Sequence, residues 1–244
     1  KAIEYRTTDE EFNKMCFDYR GNPAYSTMIS KLCEYSHRSE FILKVITHEL
    51  QQQAGQQLMI LAHNKNILTY LYRAIEHRHI ATVGYYVGGM KDADLKKSET
   101  CQVIIATYAM AAEALDIKTL TSLLLATPKT DIIQAVGRIL RVKHERPLVI
   151  DIIDTHDTFI SQWQKRRKYY ASNKYKILHT NSLLYEASVM ESESDLEQKN
   201  IWKNLSESPK NKGKSKCKDN EEIDVFVSLE TKMKGKCMID IDAL

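Results

Sequence analysis

Leu58-Met59-Ile60-Leu61-Ala62 is followed at once by His63-Asn64-Lys65-Asn66, and then by Leu68, Leu71, Tyr72 and Ile75 at helical spacing. An apolar run without polar alternation reads as a strand covered on both faces, and the polar tetrad after it as a turn into an amphipathic helix. The unit repeats outward. Ala81 to Val87 reads as a strand ending at Gly88-Gly89, and Gln102 to Thr107 as another, followed by a turn and short helix to Asp116. Leu120 to Ala126 closes at Thr127-Pro128, and Leu148 to Asp154 precedes a basic, aromatic helix over Thr158 to Lys174. Buried strands alternating with amphipathic helices imply an α/β fold, a parallel sheet with helices on both faces. Ligands of such sheets bind at the carboxyl ends of the strands, where Thr107, Thr127 and the loop to Asp131 would share one rim.

On that rim stands Asp131-Ile132-Ile133-Gln134-Ala135-Val136-Gly137-Arg138-Ile139-Leu140-Arg141. At about 100° per residue, Ile132, Ile133, Val136, Ile139 and Leu140 form an apolar side. Gln134, Arg138 and Arg141 fall opposite, within an arc of roughly 60°, and Gly137 borders them where a missing side chain allows close approach. Two forked guanidinium groups and an amide suit the oxygens of a polyphosphate. The plainer reading is an arginine-rich solvated face.

Composition sets the outer bounds. In 244 residues, 43% are hydrophobic and 27% charged, ordinary for a globular chain. The net charge of +3 leaves nucleic-acid affinity to local patches. Five scattered cysteines without a Cys-x-x-Cys pair argue against a disulfide scaffold or zinc ribbon and for a reducing compartment. With 8 glycines and 4 prolines the chain is poor in the residues that turn-rich all-β proteins need. No apolar run approaches a membrane span, and no signal-peptide pattern opens the chain. Upstream of Leu58, helices are expected over Thr8 to Arg20, Ser26 to Tyr35 and Phe41 to Gln53, with a break at Gly21-Asn22-Pro23 and a stop at Gly55. Ala2 to Arg6 reads as the last strand of something upstream, as in a piece of a longer protein.

Together, His63-Asn64-Lys65 after its strand, Tyr86-Val87-Gly88-Gly89, Ile105-Ala106-Thr107 with Glu113-Ala114-Leu115-Asp116, and Gln134-x-x-Gly137-Arg138-x-x-Arg141 resemble motifs IV, V and VI of superfamily 2 helicases. They would lie in the second of the two RecA-like domains, and the resemblance covers residues 40 to 175. The run Val149 to Asp154 with Gln164, Arg166, Arg167, Tyr169 and Tyr170 after it is similar to the helicases of large cytoplasmic DNA viruses, of the poxvirus transcript-release type that African swine fever virus also encodes.

This resemblance implies the second motor domain of an ATP-dependent helicase or translocase, acting in viral transcription or DNA processing. It implies Arg138 and Arg141 as arginine fingers reaching the phosphates of ATP across the interdomain cleft, and Gln134 as holding the phosphate or the attacking water. Glu113 and Asp116 would lie near the nucleotide ribose or between the domains, and Gly137 would border the ATP. Thr107, His63, Asn64, Lys65, Gly88 and Gly89 would touch the backbone of a DNA or RNA single strand. The implied cofactors are ATP and Mg2+, held mainly by an upstream RecA-like domain of the same polypeptide. The implied partners are that domain, the nucleic-acid strand and viral transcription machinery, with a cytoplasmic location and no membrane. One departure stands out: Ala114 occupies the position where motif V usually has glycine, so the turn differs or strain is tolerated.

The expected organisation is a linker and helical segment over 1–39, a RecA-like domain over 40–186, a low-complexity linker over 187–222 and a short C-terminal segment over 223–244. The sequence holds no complete phosphate loop. Gly213-Lys214-Ser215 is a fragment of one, set in a lysine-rich polar tract rather than between strand and helix. Asp151, Asp154, His156 and Asp157 read as a metal cluster or, more simply, as strand-end acids capping the next helix. In that next helix, Phe159, Trp163 and Tyr170 keep core-facing spacing while its basic residues snorkel; the alternative lays them along a phosphate backbone. Two rival functions remain: a catalytically silent RecA-like binding module, and a dinucleotide enzyme, which would need a glycine-rich turn that Ala62-His63-Asn64-Lys65 lacks. The chain alone, holding half of an ATPase site, is expected to turn over negligible ATP.

Overall fold

A computed structural model describes residues 1–52, 55–113, 117–139, 144, 146–190 and 201–206. Lys1–Glu207 form one compact unit. Its sheet has the strands β1 (Ala2–Tyr5), β2 (Leu58–Ala62), β3 (Val83–Tyr86), β4 (Val103–Thr107), β5 (Ser122–Leu125), β6 (Leu148–Asp154), β7 (Leu178–Asn181) and β8 (Lys203–Asn204) in the spatial order β3-β4-β2-β5-β6-β1-β7-β8. Neighbours run parallel throughout except for β8, antiparallel on β7. The helices are α1 (Glu10–Asn13), α2 (Tyr25–Glu34), α3 (Ser36–Gln52), α4 (Lys65–His77), α5 (Asp92–Glu99), α6 (Tyr108–Glu113), α7 (Ile133–Ile139), α8 (Asp157–Ser172) and α9 (Ser182–Met190).

Alternation along each strand builds two cores. Leu58, Ile60 and Ala62 of β2 face α2, α3 and α4, while Met59 and Leu61 face α6, α7 and α8. This two-sided covering is why β2, β4 and β5 read as unbroken apolar runs. In α4, Ile67, Leu68, Leu71 and Ile75 are buried on one stripe. At roughly 1.5–3 kcal/mol for each such side chain, that stripe outweighs the single cap at Asn64, which is worth about 1 kcal/mol.

Several expectations are corrected. Thr8 to Arg20 is not one helix. After the single turn of α1, Asp18 Oδ1 accepts the N–H groups of Arg20 and Asn22, Phe17 bridges Pro23 in antiparallel fashion, and Gly21 takes φ +79. A carboxylate that satisfies local backbone donors competes with helix and wins here. Residues 1–39, expected as a segment ahead of the sheet domain, contribute β1 inside the sheet, where Ala2 pairs with Asp151 and with His179. Within the stretch expected as a low-complexity linker, Ile201–Ser206 reach the sheet: β8 pairs β7, and Trp202 packs edge-on against Tyr185. Ile133, expected in the core, is 55% exposed. The lysine-rich tract, Gly213-Lys214-Ser215 and the 223–244 segment lie outside the described residues.

Candidate functional site

The parallel register sets the carboxyl ends of β3, β4, β2, β5 and β6 side by side. Ala62 is level with Thr107, and Leu61 with Leu125. Neighbouring strands lie about 4.8 Å apart, so Gly88-Gly89, Thr107, His63 and Thr127 follow one another along one rim.

Each expected rim residue has a definite local role. His63 is exposed, while its ring lies tilted at 52° to that of Tyr108 with centroids 4.8 Å apart and meets Tyr25 edge-on at 6.4 Å. Both the His63 N–H and the ring Nδ1 lie 3.0 Å from Thr127 Oγ1. Desolvation, with the nearby Lys129 ammonium second, lowers the His63 pKa to about 4. Asn64 caps α4, its side-chain oxygen accepting from Asn66 N–H at 2.8 Å, and Lys65 is exposed on the first turn. Gly89 takes φ +89, a conformation that glycine adopts without penalty, and an added Cβ there would meet open space. Thr107 ends β4 half-buried, and its hydroxyl accepts the Met110 N–H at 3.4 Å.

At the start of α7, Asp131 Oδ1 accepts the Ile133 N–H at 3.1 Å. Ile132, Ala135 and Val136 are buried against the sheet, whereas Gln134 and Gly137 are exposed. The helix therefore turns its Gln134 side outward, and a Cβ on Gly137 would meet nothing within 4 Å. Arg138 stands one turn after Gln134 in the same helix. The side chains of Arg138 and Glu113, and the whole of Asp116 and Arg141, lie outside the described residues.

Sequence reasoning read Asp151 and Asp154 as metal ligands or caps, and they are neither. Both are buried on β6, facing opposite sides of the sheet. Arg38 of α3 grips Asp154 through Nε at 2.6 Å and Nη2 at 2.8 Å. Arg166 of α8 grips Asp151 through Nε at 2.7 Å and Nη2 at 2.8 Å, and Tyr170 OH adds a bond at 3.2 Å. Burial works against the Arg166 charge, and the Asp151 carboxylate more than restores it, so its pKa lies above the usual value. His156 occupies the cap position of α8 without a side-chain cap bond. Among the described residues no group of three His, Cys, Asp or Glu side chains could hold a metal ion. The missed residues are these buried arginines, which lay in sequence where Lys and Arg are ordinarily solvated; the only signal was the apolar neighbourhood of Asp151 within its strand.

No protein-family model matches the chain. It is 39% identical over 184 residues to "Putative ATP-dependent RNA helicase L396" of Acanthamoeba polyphaga mimivirus, covering 72% of this chain and 35% of that protein. It is 26% identical over 170 residues to "Putative helicase 161L" of Invertebrate iridescent virus 6, covering 69% of this chain and 35% of the relative. A third relative is "Putative ATP-dependent RNA helicase QP509L" of African swine fever virus (isolate Pig/Kenya/KEN-50/1950), 25% identical over 130 residues, 49% of this chain and 26% of the relative. The chain thus spans about a third of the length of the first two relatives. In fold it resembles T4 UvsW, with TM-score 0.57 at 20% identity over 74% of this chain and 40% of that one. It also resembles the S. cerevisiae Dbp5 C-terminal domain, with TM-score 0.50 at 14% identity over 62% of this chain and 88% of that one. Sequence relationship and sheet topology agree: the chain is similar to viral proteins named as putative helicases, and its described unit has the RecA-like α/β fold also seen in T4 UvsW and the Dbp5 C-terminal domain.

Proposed function

We propose that this domain is the second half of an ATP-driven motor that moves along a nucleic-acid strand. The observation that carries the reading is the orientation of α7: Ile132, Ala135 and Val136 are buried while Gln134 and Gly137 are exposed, at the rim shared with His63, Thr107 and Gly89. Arg138 and Arg141 supply fixed cationic forks to the β- and γ-phosphates of ATP, and Gln134 orients the phosphate or the attacking water. Such groups stabilise the charge that spreads over a transferring phosphoryl group, the largest contribution a protein makes to this chemistry. Glu113 and Asp116 serve the ribose or the interdomain contact, and Gly137 leaves the approach to the phosphates open. His63, Asn64, Lys65, Thr107, Gly88 and Gly89 hold the strand by its backbone, which explains the absence of any need for base-reading groups. Mg2+ is held mainly by an upstream RecA-like domain of the same polypeptide. The strand is DNA or RNA, and the setting is viral transcription or DNA processing in the host cytoplasm.

The test uses the complete polypeptide, upstream domain included. Arg138→Ala and Arg141→Ala should each lower strand-stimulated ATP turnover on the order of a thousandfold, with strand affinity kept. The isolated chain should show negligible turnover. Robust hydrolysis by the isolated chain, indifferent to Arg141→Ala, overturns the reading. Strand binding without any turnover by the complete polypeptide assigns it instead as a silent binding module.

A further inference from the structure

The turn from β5 to α7 is gripped one carbonyl at a time. Arg38 Nη2, from α3, donates to Ala126 O at 2.9 Å. Tyr108 OH, from α6, donates to Thr127 O at 2.6 Å. Tyr25 OH, from α2, donates to Pro128 O at 3.1 Å. Arg166 Nη1, from α8, donates to Lys129 O at 2.7 Å. Successive acceptors are thus met by side chains from different elements, drawn from both faces of the sheet.

Connecting segments ordinarily satisfy their carbonyls with water or local turns and stay mobile. Stability alone does not explain this arrangement, because a buried arginine–carboxylate pair does little better than well-packed apolar residues of the same volume. What the arrangement gains is a single geometry. Burial keeps the Tyr108 phenol well above its ordinary pKa range, so it remains a donor. The Thr127 hydroxyl, which accepts the His63 N–H at 3.0 Å, ties the same turn to the carboxyl end of β2. Ile132, only a few residues beyond the last gripped carbonyl, then seats α7.

We propose that Arg38, Tyr25, Tyr108 and Arg166 are positioning residues that fix the turn 126–129, and through it the register of α7, while Thr127 links that register to the strand-facing end of β2. The inference rests on the reading of α7 as the phosphate-facing helix. Groups that act on a transition state must be held to a fraction of an ångström, and a shift of about 1 Å costs up to a hundredfold in rate.

The test is made in the complete polypeptide with Tyr25→Phe and Tyr108→Phe combined, which keeps both rings and removes two donors. Strand-stimulated kcat should fall roughly tenfold to a hundredfold, with KM for ATP and the melting temperature little changed. Thr127→Val should lower the ratio of strand-stimulated to unstimulated turnover, and Thr127→Ser should restore it. Should the double variant not fold, Tyr25→Phe, at a half-buried site, carries the test alone. Wild-type kcat in these variants, with only a lower melting temperature, overturns the proposal. Arg138→Ala separates the two readings. If it spares turnover, the phosphate-facing role itself fails; if it abolishes turnover while the Phe and Val variants keep full kcat, only the positioning role fails.

Discussion

Asp151 and Asp154 stand three residues apart on β6, and the strand's alternation turns one toward Arg166 and the other toward Arg38. Removing one member of such a pair leaves an uncompensated buried charge, so Arg38→Ala should cost about 3–5 kcal/mol, read as a lower denaturant midpoint. Replacing both partners, Arg38→Met with Asp154→Leu, should recover most of that loss. Gly84 is equally constrained, for a different reason: a Cβ there would lie 2.7 Å from the Ser98 Cα of α5. Gly84→Ala should therefore cost about 1–3 kcal/mol through overpacking, by the same measurement. Neither constraint was legible. A sequence shows that an aspartate follows an apolar run, but its partner Arg38 lies 116 residues away. The close approach of α5 to β3 depends equally on packing that no local pattern encodes.

Among the elements, α8 separates what periodicity can and cannot tell. The expected core-facing aromatics, Phe159, Trp163 and Tyr170, are buried, and Lys165, Arg167 and Lys168 are exposed. Trp163→Ala should cost about 3–5 kcal/mol, whereas the triple change of those exposed basic residues to alanine should move stability by no more than about 0.5 kcal/mol for each. Arg166 breaks the pattern because the helix face it occupies is set by Asp151 and Lys129 O rather than by water. Strands β2, β4 and β5 were legible because each is an apolar run bounded by turn residues, and β3 and β6 because β-branched and aromatic residues dominate them between turn signals. Strands β7 and β8 were not: in Leu178–Asn181 only Leu178 is apolar, and Lys203–Asn204 is too short to show any period. On α7, Gln134 is exposed as its helical position leads one to expect, but Ile133 also lies outward, since this short helix buries a narrower stripe than a longer core helix does.

Across the whole molecule, the rim carries a titration that acts on stability. The His63 pKa, lowered from 6.5 to about 4, means that the folded chain takes up a proton less readily than the unfolded chain. Its contribution is complete above the ordinary value near 6.5 and is lost as pH falls toward 4. Stability should decline between pH 7 and pH 5 less steeply in His63→Gln than in the parent, and the ring resonances of His63 should titrate near pH 4. The strand order was not legible either, since β1, first in the chain, lies between β6 and β7. Its partners are far off, Ala2 pairing with Asp151. Distant pairings are the slow ones, because chain entropy must be spent before any contact rewards it. Ile3 and Tyr5 therefore wait, while the ribosome adds more than a hundred further residues, as a greasy thread with no seam to enter, and the amides of β1 should be among the last to resist exchange in a refolding time course.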